Sequence, residues 1–225
     1  MPISTNQQDY LKALYMLRTQ AAAVSTSELA TRMRVSAASV TEMLQKLSNM
    51  GLVVHDRYRG AQLTPAGEAV ALEMIRHHRL LEMYLAQALG YGWDEVHDEA
   101  ERLEHVISER MEERIFDALG RPAVDPHGDP IPSRRGEMAL AHYRQLSDCR
   151  AGERLVVRRV SDRDAGMLRA LDELDLTLGA VVEVESESRY EGPIGVLVNG
   201  NPRQVPLGLA RIVFLESLER PRRRH

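Results

Sequence analysis

The chain has 225 residues, of which 44 % are hydrophobic and 28 % charged, a balance that supports one large or several small cored domains and excludes wholesale disorder. It has no uncharged apolar run of about eighteen residues and no secretory leader pattern at its start, which predicts a cytoplasmic protein with no membrane partner. A single cysteine, Cys149, excludes a disulfide framework and a thiolate zinc cluster. The net charge of −4 hides an asymmetry: residues 1–65 carry seven basic and four acidic side chains, a balance of +3, which leaves −7 for the remainder. A basic first segment on an acidic body suits a module that meets a polyanion.

Taken in chain order, Tyr10, Leu11, Leu14, Tyr15 and Leu17 recur at helical spacing and predict an amphipathic helix over 7–20. Thr26-Ser27-Glu28 opens a short second helix with Leu29, Ala30 and Met33 inward. Ser36 then caps a third that buries Val40, Met43, Leu44 and Leu47 and stops at Gly51. Two short helices joined by a few residues form a helix-turn-helix. Leu52-Val53-Val54, the turn Tyr58-Arg59-Gly60 and Gln62-Leu63-Thr64 add a hairpin wing.

Thr64-Pro65 marks the start of a long helix reaching Leu89, and a second long helix is expected from Trp93-Asp94 to Leu119 before Gly120 and Pro122. Two such amphipathic helices need a partner for their apolar faces, which predicts a homodimer. Four prolines within 121–135 make a stiff connection ending at a cap, Ser133, after which a short helix through Leu146 is expected. From 153 onward the pattern becomes β-rich, with strands at Leu155–Val160, Val181–Glu185, Ile194–Val198 and Ile212–Glu216, a helix near Gly166–Leu174, and turns at Gly179, Gly192-Pro193 and Asn199-Gly200-Asn201. The fold class is therefore mostly α with a small β-barrel domain. The arginine-rich end, Arg220 to His225, reads as a solvated tail.

Two constellations carry chemistry. On the third helix Ser36, Ala37, Ala38, Ser39, Thr41 and Glu42 place small and hydroxyl side chains where a backbone can approach the major groove of double-stranded DNA. Arg34, Lys46, Arg57 and Arg59 flank that surface and suit phosphate contacts. In the second long helix His97, Glu101, Glu104 and His105 fall within an arc of about 100°, while His78 and Glu82 form an i, i+4 pair on the first. Carboxylates with imidazole and no thiolate suit Mn²⁺ or Fe²⁺, and such sites also admit Zn²⁺, Co²⁺ or Cd²⁺. The same spacing also describes a solvated charged face. His-Glu-x-x-His, Gly-x-Ser-x-Gly, Glu-x-x-His and a phosphate-binding glycine loop are absent, which argues against an enzyme, and no organic cofactor is expected. The competing regulatory reading is a winged-helix protein sensing an organic ligand between its helices.

Asp9-Tyr10-Leu11, Val35 to Thr41, Arg79 to Glu82, Trp93 to Glu101, Glu104-His105 and Asp125-Pro126-His127-Gly128-Asp129-Pro130-Ile131-Pro132 together resemble the metal-dependent transcriptional regulators of the diphtheria toxin repressor type, over nearly the whole chain. The resemblance implies a winged helix-turn-helix domain (1–64), a helical dimerisation and metal-binding domain (65–148) and an SH3-like domain with a basic tail (149–225). It places a regulatory metal site on Asp9, Glu101, Glu104 and His105, and a second on His78, Glu82 and His97 with Asp164 contributed by the β domain. Carboxylates at Asp9 and Glu101 mark the manganese-responsive branch of that family, whereas iron-responsive members carry methionine and cysteine there. Lys12 stands where short manganese regulators have a glutamate. The implied function is Mn²⁺-dependent repression at palindromic operators of metal-transport genes.

Overall fold

The computed structural model describes residues 3–18, 23–56, 59–139, 142–162, 164–187 and 192–218, which fall into two compact units. Arg57 and the arginine-rich tail lie outside the described residues. No described helix is long and apolar enough to cross a membrane.

The first unit spans 1–78, 103–112 and 132–138 and contains the winged helix. Helix α1 (Thr5–Leu17) starts at a capping box in which Ser4 Oγ accepts the Gln7 N–H and Gln7 Oε1 accepts the Ser4 N–H. Helix α2 (Thr26–Met33) repeats the device with Ser25 and Glu28. Helix α3 (Ala37–Asn49) is capped by Ser36, whose Oγ accepts the Ser39 N–H at 3.1 Å. Each cap satisfies backbone donors that a helix start leaves open. Between α2 and α3 the chain turns through Arg34 at φ +55°, and Leu11, Leu14, Leu29, Val40, Leu44 and Leu47 fuse the three helices into one dry core.

Strands β1 (Val53–Asp56) and β2 (Gly60–Leu63) pair antiparallel as the wing, and Val24 bridges Ala61 beside them. Helix α4 (Pro65–Leu89) begins where Thr64 Oγ1 accepts the Gly67 N–H and donates to the Gly51 carbonyl. Its first turn is jammed against the wing: a Cβ at Gly67 would lie 2.0 Å from the Leu52 carbonyl oxygen. The expected second long helix is two, α5 (Val96–Leu103) and α6 (Glu109–Ala118). Ser108 causes the break, because its Oγ accepts the Met111 N–H and its carbonyl the Glu112 N–H, starting a new helix. Glu104 and His105 consequently leave the helical stripe on which His97 and Glu101 stand.

The second unit spans 79–102, 113–131 and 139–225. Its sheet runs β3 (Arg144–Gln145), β8 (Val213–Ser217), β4 (Arg154–Val160), β5 (Val181–Ser186), β6 (Ile194–Val198), β7 (Asn201–Val205), every pair antiparallel, with β3 and β7 at the ends of the ladder. Alternating inward residues such as Leu155, Val157, Val182, Val184, Val196 and Leu215 make its core, closed by α7 (Ala165–Glu173) and the single turn α8 (Leu207–Ala210). The unexpected β7 follows from the two-residue turn Asn199-Gly200, both at positive φ, which folds the chain straight back on β6. Pro202 is accommodated because β7 is an edge. The helix expected between Ser133 and Leu146 is absent among the described residues. Ser133 instead caps a turn, with its Oγ accepting from Arg135 and Glu137, and Leu146 sits in a 3-10 turn over Leu146–Asp148.

Asp164 is the N-cap of α7, its Oδ1 accepting the Met167 N–H at 2.9 Å. Asp164→Ala is therefore expected to cost about 1 kcal/mol of stability, read by chemical denaturation, with metal uptake unchanged.

Candidate metal centre

In the first unit Asp9 projects from α1 toward the turn that follows α5. His105 Nε2 lies 2.9 Å from Asp9 Oδ1 and 3.6 Å from Glu104 Oε1. The other ring nitrogen, Nδ1, is 2.9 Å from Gln8 Oε1, so Nε2 is the ring atom that faces the two carboxylates. Such an outer hydrogen bond sets the tautomer of a ligating imidazole. One donor atom each from Asp9, Glu104 and His105 lies within 4.8 Å of the others. Two anionic oxygens aimed at one imidazole nitrogen fit a cation.

Glu104 is wholly buried. Lys12 Nζ donates to both its oxygens, at 2.8 and 2.7 Å, and lies 3.2 Å from His78 Nδ1, which is itself 2.5 Å from Glu104 Oε2. Burial alone raises the Glu104 pKa, yet the hydrogen bond with His78 and the charge of Lys12 outweigh it and hold the carboxyl below its ordinary value. Lys12 is thus a resident cation beside the candidate ligands. His78 has its Nδ1 on Glu104 and stands one turn before Glu82 on α4, the i, i+4 pair expected from the sequence. Glu101, expected beside Asp9, is half-exposed and lies 3.4 Å from His97 Nε2, because the helix ends before Glu104.

In the second unit His97 Nδ1 is 3.2 Å from the buried Glu82 Oε1 and 3.4 Å from Asp162 Oδ2. Hydrogen bonds to Asp162 and Glu82 push the His97 pKa up to about 10 against the opposing effect of burial. Burial works against Asp162 as well, and its hydrogen bond with His97 nevertheless holds it below the usual range. The β-domain carboxylate beside His97 is Asp162; Asp164, the expected residue, is spent on the α7 cap. Behind this group His127 is fully buried, with Nε2–H donating to the Trp93 carbonyl at 2.7 Å and Nδ1 3.9 Å from Glu82 Oε2. Asp125 accepts the N–H groups of His127 and Asp129. Burial, then the charges of Glu82 and Asp129, drive its pKa well up despite Arg79. This excess of buried acid also suits a cation. Asp162, Asp125 and His127, which join these candidate groups, were not singled out as ligands from the sequence, although the motif holding the last two was visible. Cys149 is buried, and desolvation pushes its thiol up to about 11, so it is inert at neutral pH.

On the outer face of α3, Ser36, Ala37, Ala38, Ser39, Thr41 and Glu42 are all exposed, as are Arg34 and Arg59. Lys46 pairs with Glu42 at 2.7 Å, both exposed, a contact weak enough to yield to a phosphate. Ser36 and Ser39 share a hydroxyl hydrogen bond, and Thr41 donates to the Ala37 carbonyl.

Residues 2–61 match the N-terminal DNA binding domain of iron dependent repressors, residues 64–133 their metal binding and dimerisation domain, and residues 144–217 the FeoA domain. The chain is 41 % identical to a solved manganese-dependent transcriptional repressor in complex with manganese, covering 94 % of this chain and all of that one at a TM-score of 0.86. It is 32 % identical to ScaR with bound Cd²⁺, covering 95 % of this chain and all of that one, TM-score 0.79. Against the iron-dependent repressor IdeR of Mycobacterium leprae the identity is 28 % over 222 residues, 93 % of this chain and 96 % of the relative. With a DNA-binding fold, a cation-demanding cluster and these relatives in agreement, the chain belongs to the diphtheria toxin repressor family of metal-dependent transcriptional repressors, which are DNA-binding regulators and not enzymes.

Proposed function

We propose that the chain is a manganese-activated homodimeric repressor, with a sensing centre on Asp9, Glu104 and His105 and a second centre on Glu82, His97 and Asp162. The observation that carries the reading is His105 Nε2 facing Asp9 and Glu104 while Nδ1 is committed to Gln8. A bound divalent cation supplies the positive charge that allows these acidic groups to share one centre. Oxygen and imidazole donors without sulfur favour hard Mn²⁺ over thiophilic ions, with Fe²⁺, Zn²⁺, Co²⁺ and Cd²⁺ as competitors.

Asp9 is the mechanical link. It belongs to α1, whose Leu11 and Leu14 share a core with Leu44 and Leu47 of α3, so drawing Asp9 toward Glu104 and His105 fixes the helix that presents Ser36 to Glu42. Arg34, Lys46 and Arg59 then meet phosphates on either side. Val106 and Met111, apolar and exposed, lie within the segment matched to a metal binding and dimerisation domain and are candidates for cover by a second subunit. Two copies would address the halves of a palindrome, and by linkage DNA tightens cation binding as much as the cation tightens DNA binding.

The deciding experiment is operator binding titrated with Mn²⁺, Fe²⁺ and Zn²⁺, with and without EDTA. Binding that needs the cation, and a footprint over two half-sites about 34–36 Å apart, is expected. Undiminished affinity in EDTA, the behaviour of a regulator that senses an organic ligand, overturns the reading.

Lys12→Gln removes a positive charge next to Glu104 and is expected to tighten Mn²⁺ binding about tenfold, while lowering the stability of the metal-free protein because a buried carboxylate loses its partner. Isothermal titration and denaturation check the two halves.

His97 supplies a pH test. Its pKa is raised from 6.5 to about 10, so its stabilising contribution is complete below about pH 6.5 and is lost as pH rises through about 10. Denaturation of wild type and His97→Gln should therefore converge toward the alkaline end. At neutral pH, cation uptake by the second centre should release a proton, seen as a buffer-dependent binding enthalpy.

A further inference from the structure

Glu104 and His105 are consecutive, so the peptide group between them sets how their two side chains splay. That peptide is held from α4. The Glu104 carbonyl lies one residue past the end of α5 and five residues before α6 begins, outside the hydrogen-bond ladder of either helix. His77 supplies a donor: its Nδ1 is 3.1 Å from the Glu104 carbonyl oxygen, which can only accept. The next residue of α4, His78, has its Nδ1 on the carboxylate of the same glutamate. Two consecutive histidines thus grip Glu104 at both ends, one at its side chain and the other at the main chain it shares with His105.

The grip is itself anchored. His77 Nε2 is 3.1 Å from Glu112 Oε2 on α6, Arg76 Nε donates to Glu112 Oε1 at 2.5 Å, and Arg76 Nη1 donates to the Pro132 carbonyl at 2.7 Å. Arg76, His77 and Glu112 are all buried. Burial raises the Glu112 pKa, yet the hydrogen bonds with His77 and Arg76 outweigh it and hold the carboxyl below its ordinary value. Both ring nitrogens of His77 are therefore spent on acceptors, so the residue is no cation ligand. What it offers the neighbouring centre is a fixed N–H, held in a buried network where leaving a partner unmade is costly.

We propose that His77 is a positioning residue of the sensing centre: it pins the peptide between Glu104 and His105 so that the carboxylate and the imidazole present their donor atoms to one point. The role rests on the sensing centre proposed above. Outer partners of metal ligands act by fixing orientation, and losing them costs metal affinity. Here the partner acts on main chain shared by two ligands, so one hydrogen bond governs both. Without it, ψ of Glu104 and φ of His105 are released together, and donor atoms that must converge on a cation spread over a wider range.

Two substitutions at this one position separate positioning from support of the fold. An asparagine amide nitrogen falls near the Nδ1 position of histidine and a glutamine amide nitrogen near Nε2. His77→Asn thus keeps the bond to the Glu104 carbonyl and gives up Glu112, whereas His77→Gln keeps Glu112 and releases the carbonyl. Both are made in the full chain carrying His97→Gln, which silences the second centre, and Mn²⁺ is titrated calorimetrically without DNA. Thermal unfolding of the metal-free proteins runs alongside, and both variants should unfold at lower temperature than the parent, since each loses one buried hydrogen bond. Only His77→Gln is expected to lose Mn²⁺ affinity, about tenfold, with His77→Asn within about threefold of the parent. Equal affinities, the reverse order, or loss of the fold in both variants overturns the proposal, because His77 then supports the fold and nothing more. A parent that takes up no Mn²⁺ removes the sensing centre and this role with it, a failure distinct from a parent that binds Mn²⁺ while its two variants bind it alike.

Discussion

A carboxylate that stays ionised out of reach of water needs a cation beside it, and Glu104, buried yet held below its ordinary pKa, is such a carboxylate. The requirement is met by Lys12, through two short hydrogen bonds, and by the His78 ring. A tethered ammonium thus sits beside the candidate ligands, and any divalent cation that bound Glu104 would compete with it for the same oxygens.

The second unit solves a related problem with different groups. Glu82 and Asp125 are buried, Asp129 and Asp162 lie nearby, and the positive charge comes from Arg79 and a protonated His97. Where the first unit sets a lysine ammonium beside its candidate ligands, here the opposing charge is a proton on an imidazole. A lysine can only be pushed aside, whereas a histidine can change from competitor to ligand by losing its proton. The two groups should accordingly differ in how steeply their metal affinity depends on pH, a difference that follows from the identity of one residue in each.

What could be read from the sequence was whatever is decided locally. The Ser36 cap of the third helix, the Asn-Gly turn and the alternating strands all depend on neighbours a few residues away, and the structure has them where the pattern places them. The division of 93–119 into α5 and α6 was also written locally, in Ser108-Glu109, but the hydrophobic periodicity across the break is strong enough to mask a cap inside it. That one break takes Glu104 and His105 off the helical stripe of His97 and Glu101. The choice between Asp162 and Asp164 has another origin: both are acids at the end of β4, and only the start of α7 tells them apart, by requiring one as a cap. Lys12 and His127 act through partners 92 and 45 residues away, Glu104 and Glu82 respectively, a separation that no local pattern encodes. The recognition surface was legible as residue types, while its exposure depends on three helices burying the opposite face.

The contact between Gly67 and the Leu52 carbonyl gives the wing a mechanical character. With no room for even a methyl group between them, and with Thr64 clasping both the Gly51 carbonyl and the Gly67 amide, the first turn of α4 and the base of the hairpin behave as a welded joint rather than a hinge. Rotation at the start of α4 is passed on to the hairpin without slack, so the wing acts as a rigid pointer whose heading is set by the helix behind it. A bulkier residue at this joint would introduce play, loosening the correspondence between the attitude of the helix and the aim of the wing even where the rest of the fold survived.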